Sequence, residues 1–374
     1  MFALEKLKTE HVALYGAGSM GLGIAHVLMN FGVTPVCFCD KKKTGTEPNT
    51  KLPIVSPKSL YDDYADATVI VTSPIYAYQI EQTLNDLGFE QDKILSDLEC
   101  LFGDIPDDEY LKAWFKQTDY ELNLENPQTF NEKIQWLKRY DRKPIYTTMA
   151  DKLAAKNFIR KELSTDEYIV PTLGVWDSFD EIDFDSLPEQ FVLKCNHDCG
   201  GVVLVPDKLK LDKTEARNKL TASLNRNYFW GGREWAYKDI KPRIFAEKYL
   251  GGNIGDYKFC CFNGTTKSVF TCTERTSDLK VTFFDTQWNK LNFIRKYPTS
   301  DYEISKPTTY DKMDNIAKML SKEATFLRVD FFECKGKLYV GELTFYPGNG
   351  AEKFNPIEWD YTFGSWMELT IDKK

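Results

Sequence analysis

The sequence predicts an α/β protein in which a small parallel-sheet module precedes a larger α+β unit. Three observations carry this prediction. A short apolar strand at 11–15 runs into a glycine-rich turn and a helix, a pattern typical of the start of a parallel α/β sheet. A β-hairpin is predicted at 326–345, where two β-rich runs flank a turn containing Gly336. The length of 374 residues suffices for two or three domains.

Composition limits the class of protein. The formal net charge is −8, and no stripe of Lys and Arg interleaved with aromatic residues is present, which argues against a nucleic-acid-binding surface. No run of about 18 apolar residues predicts a transmembrane helix. The first residues, Met-Phe-Ala-Leu-Glu-Lys, do not form a basic region followed by an apolar one, so a cytoplasmic location with reduced thiols is expected. With 3 histidines and no Cys-x-x-Cys pair, a zinc site is not expected.

The glycine-rich turn has the pattern of a nucleotide-binding module. Gly16, Gly18 and Gly21 form G-x-G-x-x-G between the first strand and a helix. A second strand at 34–39 ends in Asp40, at the distance expected for a carboxylate that accepts hydrogen bonds from ribose hydroxyls. The ligand could be a nucleotide sugar or a dinucleotide, and the alternative is a structural module without a ligand.

Further elements complete the module. A parallel strand at 69–72, a helix at 75–87 and a short strand at 94–95 are predicted, which places the end of the module near residue 100. An acidic and aromatic segment at 101–121 is predicted to be a linker helix.

Two helices are predicted after the linker. Thr129 and Glu132 have the spacing of a capping box at the start of the first helix. The second helix is predicted at 150–163, with Lys152 near its start. A lysine in this setting usually faces solvent.

A lysine and a glycine turn suggest a phosphate site. Lys194 ends an apolar strand and is followed by Gly200 and Gly201, so a point charge and backbone N–H groups could be aimed at phosphates. His197 and the neighbouring Asp198 lie in this loop, either in an ordinary turn or in contact with a phosphate or substrate.

Two carboxylates are predicted on paired strands of the hairpin. Asp330 and Glu342 each have apolar neighbours in the sequence, a costly setting for an unpartnered charge. Mg²⁺ bound by two carboxylates and substrate phosphates would supply a partner. The alternative is an amphipathic hairpin with its acids in water. Arg328, two residues before Asp330, is placed to contact a transferred phosphoryl group.

Over residues 122–369 the chain resembles the ATP-grasp ligases, and more narrowly their teichuronopeptide-synthesis (TupA-like) branch. The motifs that carry this resemblance occur in order at 126–136, 150–152, 193–201, 246–250, 256–259, 328–330 and 341–346. The resemblance implies an α+β ATP-grasp unit of two lobes at 122–374, with ATP between the lobes. Separately, the first 100 residues resemble the small Rossmann-like modules found at the front of sugar-modifying enzymes, where the ligand can be a nucleotide sugar.

The resemblance also assigns site residues. It implies that Lys152 and Lys194 contact the phosphates of ATP and that Asp330 and Glu342 hold Mg²⁺. The other nucleotide-binding residues that it implies are Gly200, Gly201, Glu247, Lys248, Tyr249, Leu250 and Asp256. ATP-grasp enzymes commonly close the metal motif with Glu-x-Asn, but here Thr344 takes the place of the Asn, and Asn349 could substitute for it.

Two further cations are candidates for the substrate. Lys258 and Arg275 could neutralise an acyl phosphate or bind a substrate carboxylate, although Arg275 could equally form a surface ion pair. His197 completes the set of candidate catalytic residues with Arg328.

The implied reaction is ATP-dependent formation of an amide through an acyl phosphate. The name of the branch points to cell-surface polysaccharide synthesis, with a uronic acid in a sugar nucleotide or glycan precursor as the carboxylate and an amino acid or small amino alcohol as the amine. No Ser/His or Cys/His pair has usable spacing, which fits a reaction without a covalent nucleophile. A nicotinamide-dependent sugar oxidoreductase and a non-catalytic nucleotide-binding regulator are the alternatives. The oligomeric state stays open.

Overall fold

The computed structural model describes residues 2–73, 76–118, 120–252, 254–274 and 278–370. The first unit contains a six-stranded sheet. Its strands are β1 (Val12–Tyr15), β2 (Cys37–Cys39), β3 (Gly45–Thr46), β4 (Pro53–Val55), β5 (Thr68–Val71) and β6 (Ile94–Leu95). Its helices are α1 (Phe2–Leu7), α2 (Ser19–Asn30), α3 (Pro57–Tyr64), α4 (Ala77–Leu87), α5 (Leu98–Phe102) and α6 (Asp107–Phe115).

The strand order of the first sheet is that of a doubly wound α/β fold. The order is β3-β4-β2-β1-β5-β6, and every neighbouring pair is parallel except β3 and β4. Strands β1 and β5 are buried along their whole length, as expected for parallel strands covered on both faces. The predicted strand at 34–39 is wrong in its first half, because Pro35 has no N–H for the ladder and β2 begins at Cys37.

The predicted linker contains two helices, and both pack against the first sheet. Tyr110 and Trp114 of α6 are buried in the same core as Leu14 and Ile24. The fit is tight, since a Cβ at Gly23 of α2 would lie 2.4 Å from the Trp114 ring. Residues 98–115 therefore add to the core of the module, and the domain boundary near residue 100 stays a prediction.

Three helices follow, with a break that the sequence did not indicate. They are α7 (Phe130–Tyr140), α8 (Pro144–Ala150) and α9 (Ala154–Leu163). The capping box of Thr129 and Glu132 is confirmed at the start of α7. The helix predicted at 150–163 is confirmed from Ala154 to Leu163, but its predicted start is wrong. The Asp151 carboxylate accepts hydrogen bonds from the N–H groups of Leu153 and Ala154 and so begins a new helix after α8. Lys152 therefore lies in the turn between α8 and α9.

The second sheet forms one lobe of the larger unit. Its strands are β7 (Thr172–Trp176), β8 (Phe191–Cys195), β9 (Val202–Val205) and β10 (Ile244–Lys248). They are antiparallel in the order β7-β10-β8-β9. Helix α10 (Lys213–Leu224) packs on β8, and the short helix α11 (Phe229–Gly232) contacts α2 and α5 of the first unit.

The third sheet forms the other lobe. The strands in this part of the chain are β11 (Gly255–Phe262), β12 (Thr265–Thr273), β13 (Lys280–Phe284), β14 (Ile294–Arg295), β15 (Phe326–Cys334), β16 (Lys337–Thr344) and β17 (Phe354–Asn355). Five of them form an antiparallel sheet in the order β13-β12-β11-β15-β16, while β14 pairs with β17. The helices are α12 (Tyr310–Ser321) and α13 (Glu358–Ser365). The predicted hairpin is confirmed as β15 and β16, and the predicted fold class, a small parallel-sheet module followed by an α+β unit of two lobes, is confirmed with it.

Candidate active site

A narrow cleft lies between the two antiparallel lobes. Its lining includes Glu247 of β10, Lys152 and Lys156 from the α8–α9 segment, and residues 340–343 of β16, including Glu342. The α8–α9 segment packs in the core of the third-sheet lobe. The cleft therefore brings together charged residues that are almost 200 positions apart, from Lys152 to Glu342.

A buried ion network surrounds Asp330 in the lobe of the third sheet. The Arg328 guanidinium donates from Nε and Nη2 to the two Asp330 oxygens, at 2.6 and 2.8 Å. Lys258 Nζ lies 3.0 Å from Asp330 Oδ2 and 2.6 Å from Asp256 Oδ1. Burial alone would raise the pKa of Asp330, but the positive charges of Arg328 and Lys258 outweigh it and hold the pKa below its usual value. Asp330 is therefore a carboxylate at neutral pH.

Glu342 faces Asp330 across the hairpin. The two residues are register partners on β15 and β16. Arg328 Nη2 lies 4.0 Å from Glu342 Oε2, so one guanidinium contacts Asp330 and also approaches Glu342. Lys152 Nζ lies 3.7 Å from Glu342 Oε1. Asp330 and Glu342 are thus neighbouring carboxylates, the donor type that Mg²⁺ takes beside nucleotide phosphates, and their role as metal ligands stays a prediction. In the described ranges no cluster of three or more His, Cys, Asp or Glu side chains could hold a metal ion by itself.

Two lysines share the buried carboxylate of Glu247. Lys194 Nζ lies 2.6 Å from Glu247 Oε2, and Lys156 Nζ lies 2.6 Å from Oε1. Burial raises the pKa of Glu247, but the two lysines outweigh that effect and lower the pKa below its ordinary value. Sequence reasoning missed Lys156, and its spacing of four from Lys152 was the available signal.

The loop between β8 and β9 is held by hydrogen bonds from Lys152 and by a hydrogen bond within the loop. Lys152 Nζ donates to the carbonyl of Asp198, and the Lys152 backbone N–H donates to the carbonyl of Asn196 at 3.0 Å. The Asp198 carboxylate accepts from the N–H of Gly201 at 3.0 Å. A Cβ at Gly201 would lie 2.5 Å from Ser223 Oγ, so only glycine fits there. The turn containing Gly200 and Gly201 is therefore held next to Lys152.

His197 is buried in this loop and points away from the ion network. Its Nε2 lies 3.1 Å from the carbonyl oxygens of Ser223 and Arg226, so Nε2 carries the proton and holds the end of α10. Burial lowers the pKa of His197, which keeps the ring neutral. These contacts give His197 a structural role, and the catalytic role stays a prediction.

The segment after β10 joins the two lobes. Lys248 is exposed, while Tyr249 and Leu250 are half-buried. The Leu250 carbonyl accepts a hydrogen bond from Cys334 Sγ, at the end of β15, at 2.9 Å. The segment predicted to line the adenine is therefore tied to the hairpin that carries Asp330.

The two candidates for the third metal ligand differ in their contacts. Thr344 is the register partner of Arg328, and its buried hydroxyl has no hydrogen-bond partner in the described part of the chain. Asn349 instead has its Oδ1 and its carbonyl occupied by Lys138 Nζ. Sequence reasoning missed Lys138, whose burial lowers its pKa to about 7, and the nearby Glu234, whose burial raises its pKa to about 7. Neither had a motif that could identify it.

In the glycine-rich turn of the first unit, close packing explains the glycine at position 21. A Cβ at Gly21 would lie 1.9 Å from the carbonyl oxygen of Gly16, whereas a Cβ at Gly18 would have open space around it. The Asp40 carboxylate accepts hydrogen bonds from the N–H groups of Ala17, Lys42 and Lys43. Asp40 therefore stabilises the turn itself, and nucleotide binding at these residues stays a prediction.

Other sequence predictions have simpler outcomes. Arg275 lies outside the described residues. All nine cysteine thiols are free. Within the described ranges, no helix combines the length and the apolar character needed to cross a membrane.

Two antiparallel lobes around a cleft lined by lysines and carboxylates define an ATP-grasp enzyme. The profile of the TupA-like ATP-grasp family matches residues 132–368, and the chain belongs to this family. It is an ATP-dependent carboxylate–amine ligase, as its sequence predicts.

Solved structures of ligases are similar to the chain at low identity. D-alanine–D-alanine ligase from Bacillus anthracis in complex with ATP is 14% identical, with 90% of this chain and 85% of that chain covered and a TM-score of 0.34. L-amino acid ligase from Bacillus licheniformis is 12% identical, with 92% and 70% covered and a TM-score of 0.35. Phosphoribosylamine–glycine ligase from Thermotoga maritima is 12% identical, with 89% and 68% covered and a TM-score of 0.34. No curated protein matches the sequence.

Proposed function

We propose that this ligase joins an amine to the carboxyl group of a uronic acid, carried by a sugar nucleotide or a glycan precursor, in the synthesis of a cell-surface polysaccharide. The resemblance to the teichuronopeptide branch supports the choice of a uronic acid. The observation that carries the proposed chemistry is the 3.7 Å approach of Lys152 to Glu342 across the cleft, beside the ion network of Asp330.

The charges of the cleft fit ATP. Lys194 on the second sheet and Lys152 and Lys156 in the α8–α9 segment supply three ammonium groups, and phosphate oxygens are their natural partners. Asp330 and Glu342 on the third sheet would hold Mg²⁺, which neutralises phosphate charge when bound. The segment at 247–250 would contact the adenine and ribose.

The reaction needs charge stabilisation more than it needs a nucleophilic side chain. An oxygen of the substrate carboxylate forms a bond to the γ-phosphorus of ATP, and the bond to ADP breaks. The ammonium form of the amine gives one proton to solvent, the nitrogen of the neutral amine bonds to the acyl carbon, and the electron pair of the C–O bond leaves with phosphate. The nitrogen loses a second proton to phosphate or solvent, and the amide of a primary amine keeps one N–H. Arg328 and Lys258, which both contact Asp330, would stabilise the negative oxygens in both steps.

A phosphate-release screen tests the proposal. Uronic acids and nucleotide-linked uronates are each combined with ATP, Mg²⁺ and a panel of amines, and mass spectrometry detects the loss of water that accompanies coupling. We expect release of ADP and phosphate only when a carboxylate and an amine are both present. Binding of ATP without any amide would favour the regulator, and an absorbance change with a nicotinamide cofactor would favour the oxidoreductase.

A further inference from the structure

A second cleft, of about 510 Å³, lies between the first unit and the lobe of the second sheet. The first unit contributes Met20 at the start of α2, Glu81 of α4 and the segment 96–99 after β6. These residues follow the carboxyl ends of the parallel strands β1, β5 and β6, the edge at which open α/β sheets bind ligands. The volume is in the range of small-molecule sites.

This cleft adjoins the candidate active site. His197 and Asp198, in the loop after β8, form part of its wall. The Asp198 carbonyl accepts a hydrogen bond from Lys152 Nζ, and Lys152 in turn approaches Glu342. A molecule in the cleft is therefore separated from the ATP-site residues by one loop.

The second cleft has a mainly acidic lining, whereas the first has two lysines and two glutamates. Its lining includes four carboxylates and one guanidinium: Glu81, Asp97, Glu99, Asp198 and Arg226. Arg226 Nη2 lies 3.2 Å from Glu81 Oε1, so its charge is offset. Asp97 and Glu99 are exposed. A substrate carboxylate would be repelled here, whereas a cation would be attracted.

Aromatic residues also line the cleft. Tyr228, Trp230 and Tyr237 contribute to the wall beside α11. Rings of this kind attract ammonium groups through their electron-rich faces. The Trp230 ring already contacts a cation of the protein, since the Arg233 guanidinium carbon lies 4.5 Å from its centroid, so half-buried Tyr228 is the ring left for a ligand. The carboxylates and Tyr228 together fit a cationic amine.

We propose that this second cleft binds the amine substrate as an ammonium ion, while the cleft that Lys152, Lys156 and Glu342 line takes ATP and the carboxylate. This inference rests on the proposed ligase function and identifies where its second substrate binds.

The test narrows the cleft with a larger side chain and measures two steps separately, the formation of the acyl phosphate and its reaction with the amine. Ala222 lies on α10 and lines the cleft, so Ala222→Phe narrows it. Hydroxylamine, a small neutral nucleophile, captures acyl phosphates as hydroxamates. We expect Ala222→Phe to reduce kcat/KM for the amine by about tenfold or more, while hydroxamate formation from the carboxylate that the screen identifies changes by less than about twofold.

A matched control is available at the opposite end of the first sheet. Ala65 lines a separate cavity of about 490 Å³, so Ala65→Phe should change neither reaction. An equal loss of hydroxamate formation and amide formation in Ala222→Phe would assign the cleft to the carboxylate and overturn the proposal. Unchanged amide formation in a folded Ala222→Phe enzyme would also overturn it. Absence of hydroxamate in the unaltered enzyme would instead refute the proposed function.

The charge of the cleft gives an independent test. Glu99→Gln should raise KM for the amine several-fold at low ionic strength and less at high ionic strength, because salt screens an exposed charge. Glu90→Gln removes an exposed acid of the same unit that does not line this cleft and serves as the control. A change in KM for the carboxylate without a change for the amine would contradict the proposal.

Discussion

Lys152 Nζ lies 3.7 Å from Glu342 Oε1, and both residues line the cleft between the two lobes. Their side chains are largely buried, at 12% and 27% exposure, so the contact is only partly screened by water. Because ATP-grasp enzymes bind ATP between the lobes, this pair marks where phosphate oxygens and a metal ion would meet the protein.

Removing the Lys152 charge should weaken ATP binding. We expect Lys152→Ala to raise KM for ATP about tenfold, since one direct phosphate contact is lost. Lys161→Ala removes an exposed lysine of α9 and should behave like the unaltered enzyme. Steady-state kinetics with varied ATP measures the effect, and an unchanged KM for ATP in Lys152→Ala would exclude the phosphate contact.

Removing the charge of Asp330 should abolish most of the turnover. Asp330→Asn keeps the shape of the side chain but loses a metal ligand and the partner of Arg328 and Lys258, so we expect phosphate release to fall about 100-fold or more. Glu333→Gln, three positions further along the same strand, is the control. Normal phosphate release by a folded Asp330→Asn enzyme would refute the metal assignment.

The Glu247 carboxylate should give a pH-dependent contribution to stability. Its pKa in the folded protein is lower than its ordinary value of 4.5, so its contribution is present above pH 4.5 and is lost as the pH falls through the folded-state pKa. Glu247→Gln lacks this contribution. We expect the loss in free energy of unfolding on acidification below pH 4.5 to be smaller in Glu247→Gln than in the unaltered protein or in the exposed control Glu215→Gln. Denaturant unfolding at several pH values measures the difference, and equal losses would contradict the assignment.

Replacement of two glycines of the same motif by alanine should change the stability of the first unit by different amounts. Gly21→Ala would place a Cβ 1.9 Å from the Gly16 carbonyl, so we expect a loss of about 1–3 kcal/mol in the stability of the first unit. Gly18→Ala has open space and should leave stability unchanged. If the first unit binds a nucleotide at this turn, Gly18→Ala should weaken that binding in calorimetric titrations with nucleotide sugars and dinucleotides. Equal stability of the two variants would contradict the packing explanation.

Much of the larger unit could be predicted from its sequence because the signals are local. The hairpin of β15 and β16 has two β-rich runs around a short turn, which predicts that the strands pair. The turn alone would set Asp330 opposite Gly341, and a register shift between Asp330 and Phe331 brings Asp330 opposite Glu342. The strand that carries Lys194 could likewise be predicted from local signals, because a polar, glycine-containing loop ends its apolar run. For these elements, residues that are adjacent in the sequence largely determine the local structure.

Other features depend on contacts between distant residues. Lys138 is buried because Gly232 and Asn349 surround its ammonium group with carbonyl oxygens, and nothing in α7 indicates that. Helix α6 is part of the first core because Trp114 packs on Gly23, which no periodicity of α6 alone could show. The three-residue strand β4 is too short to show an alternating pattern.

The most direct test of the ligase account follows an oxygen atom. The carboxylate substrate is labelled with a heavy oxygen isotope, the enzyme is supplied with ATP and amine, and the released phosphate is analysed by mass spectrometry. If an acyl phosphate forms in the cleft of Lys152, Asp330 and Glu342, one labelled oxygen passes from the carboxylate to each phosphate released. Amide formation with unlabelled phosphate would contradict the account.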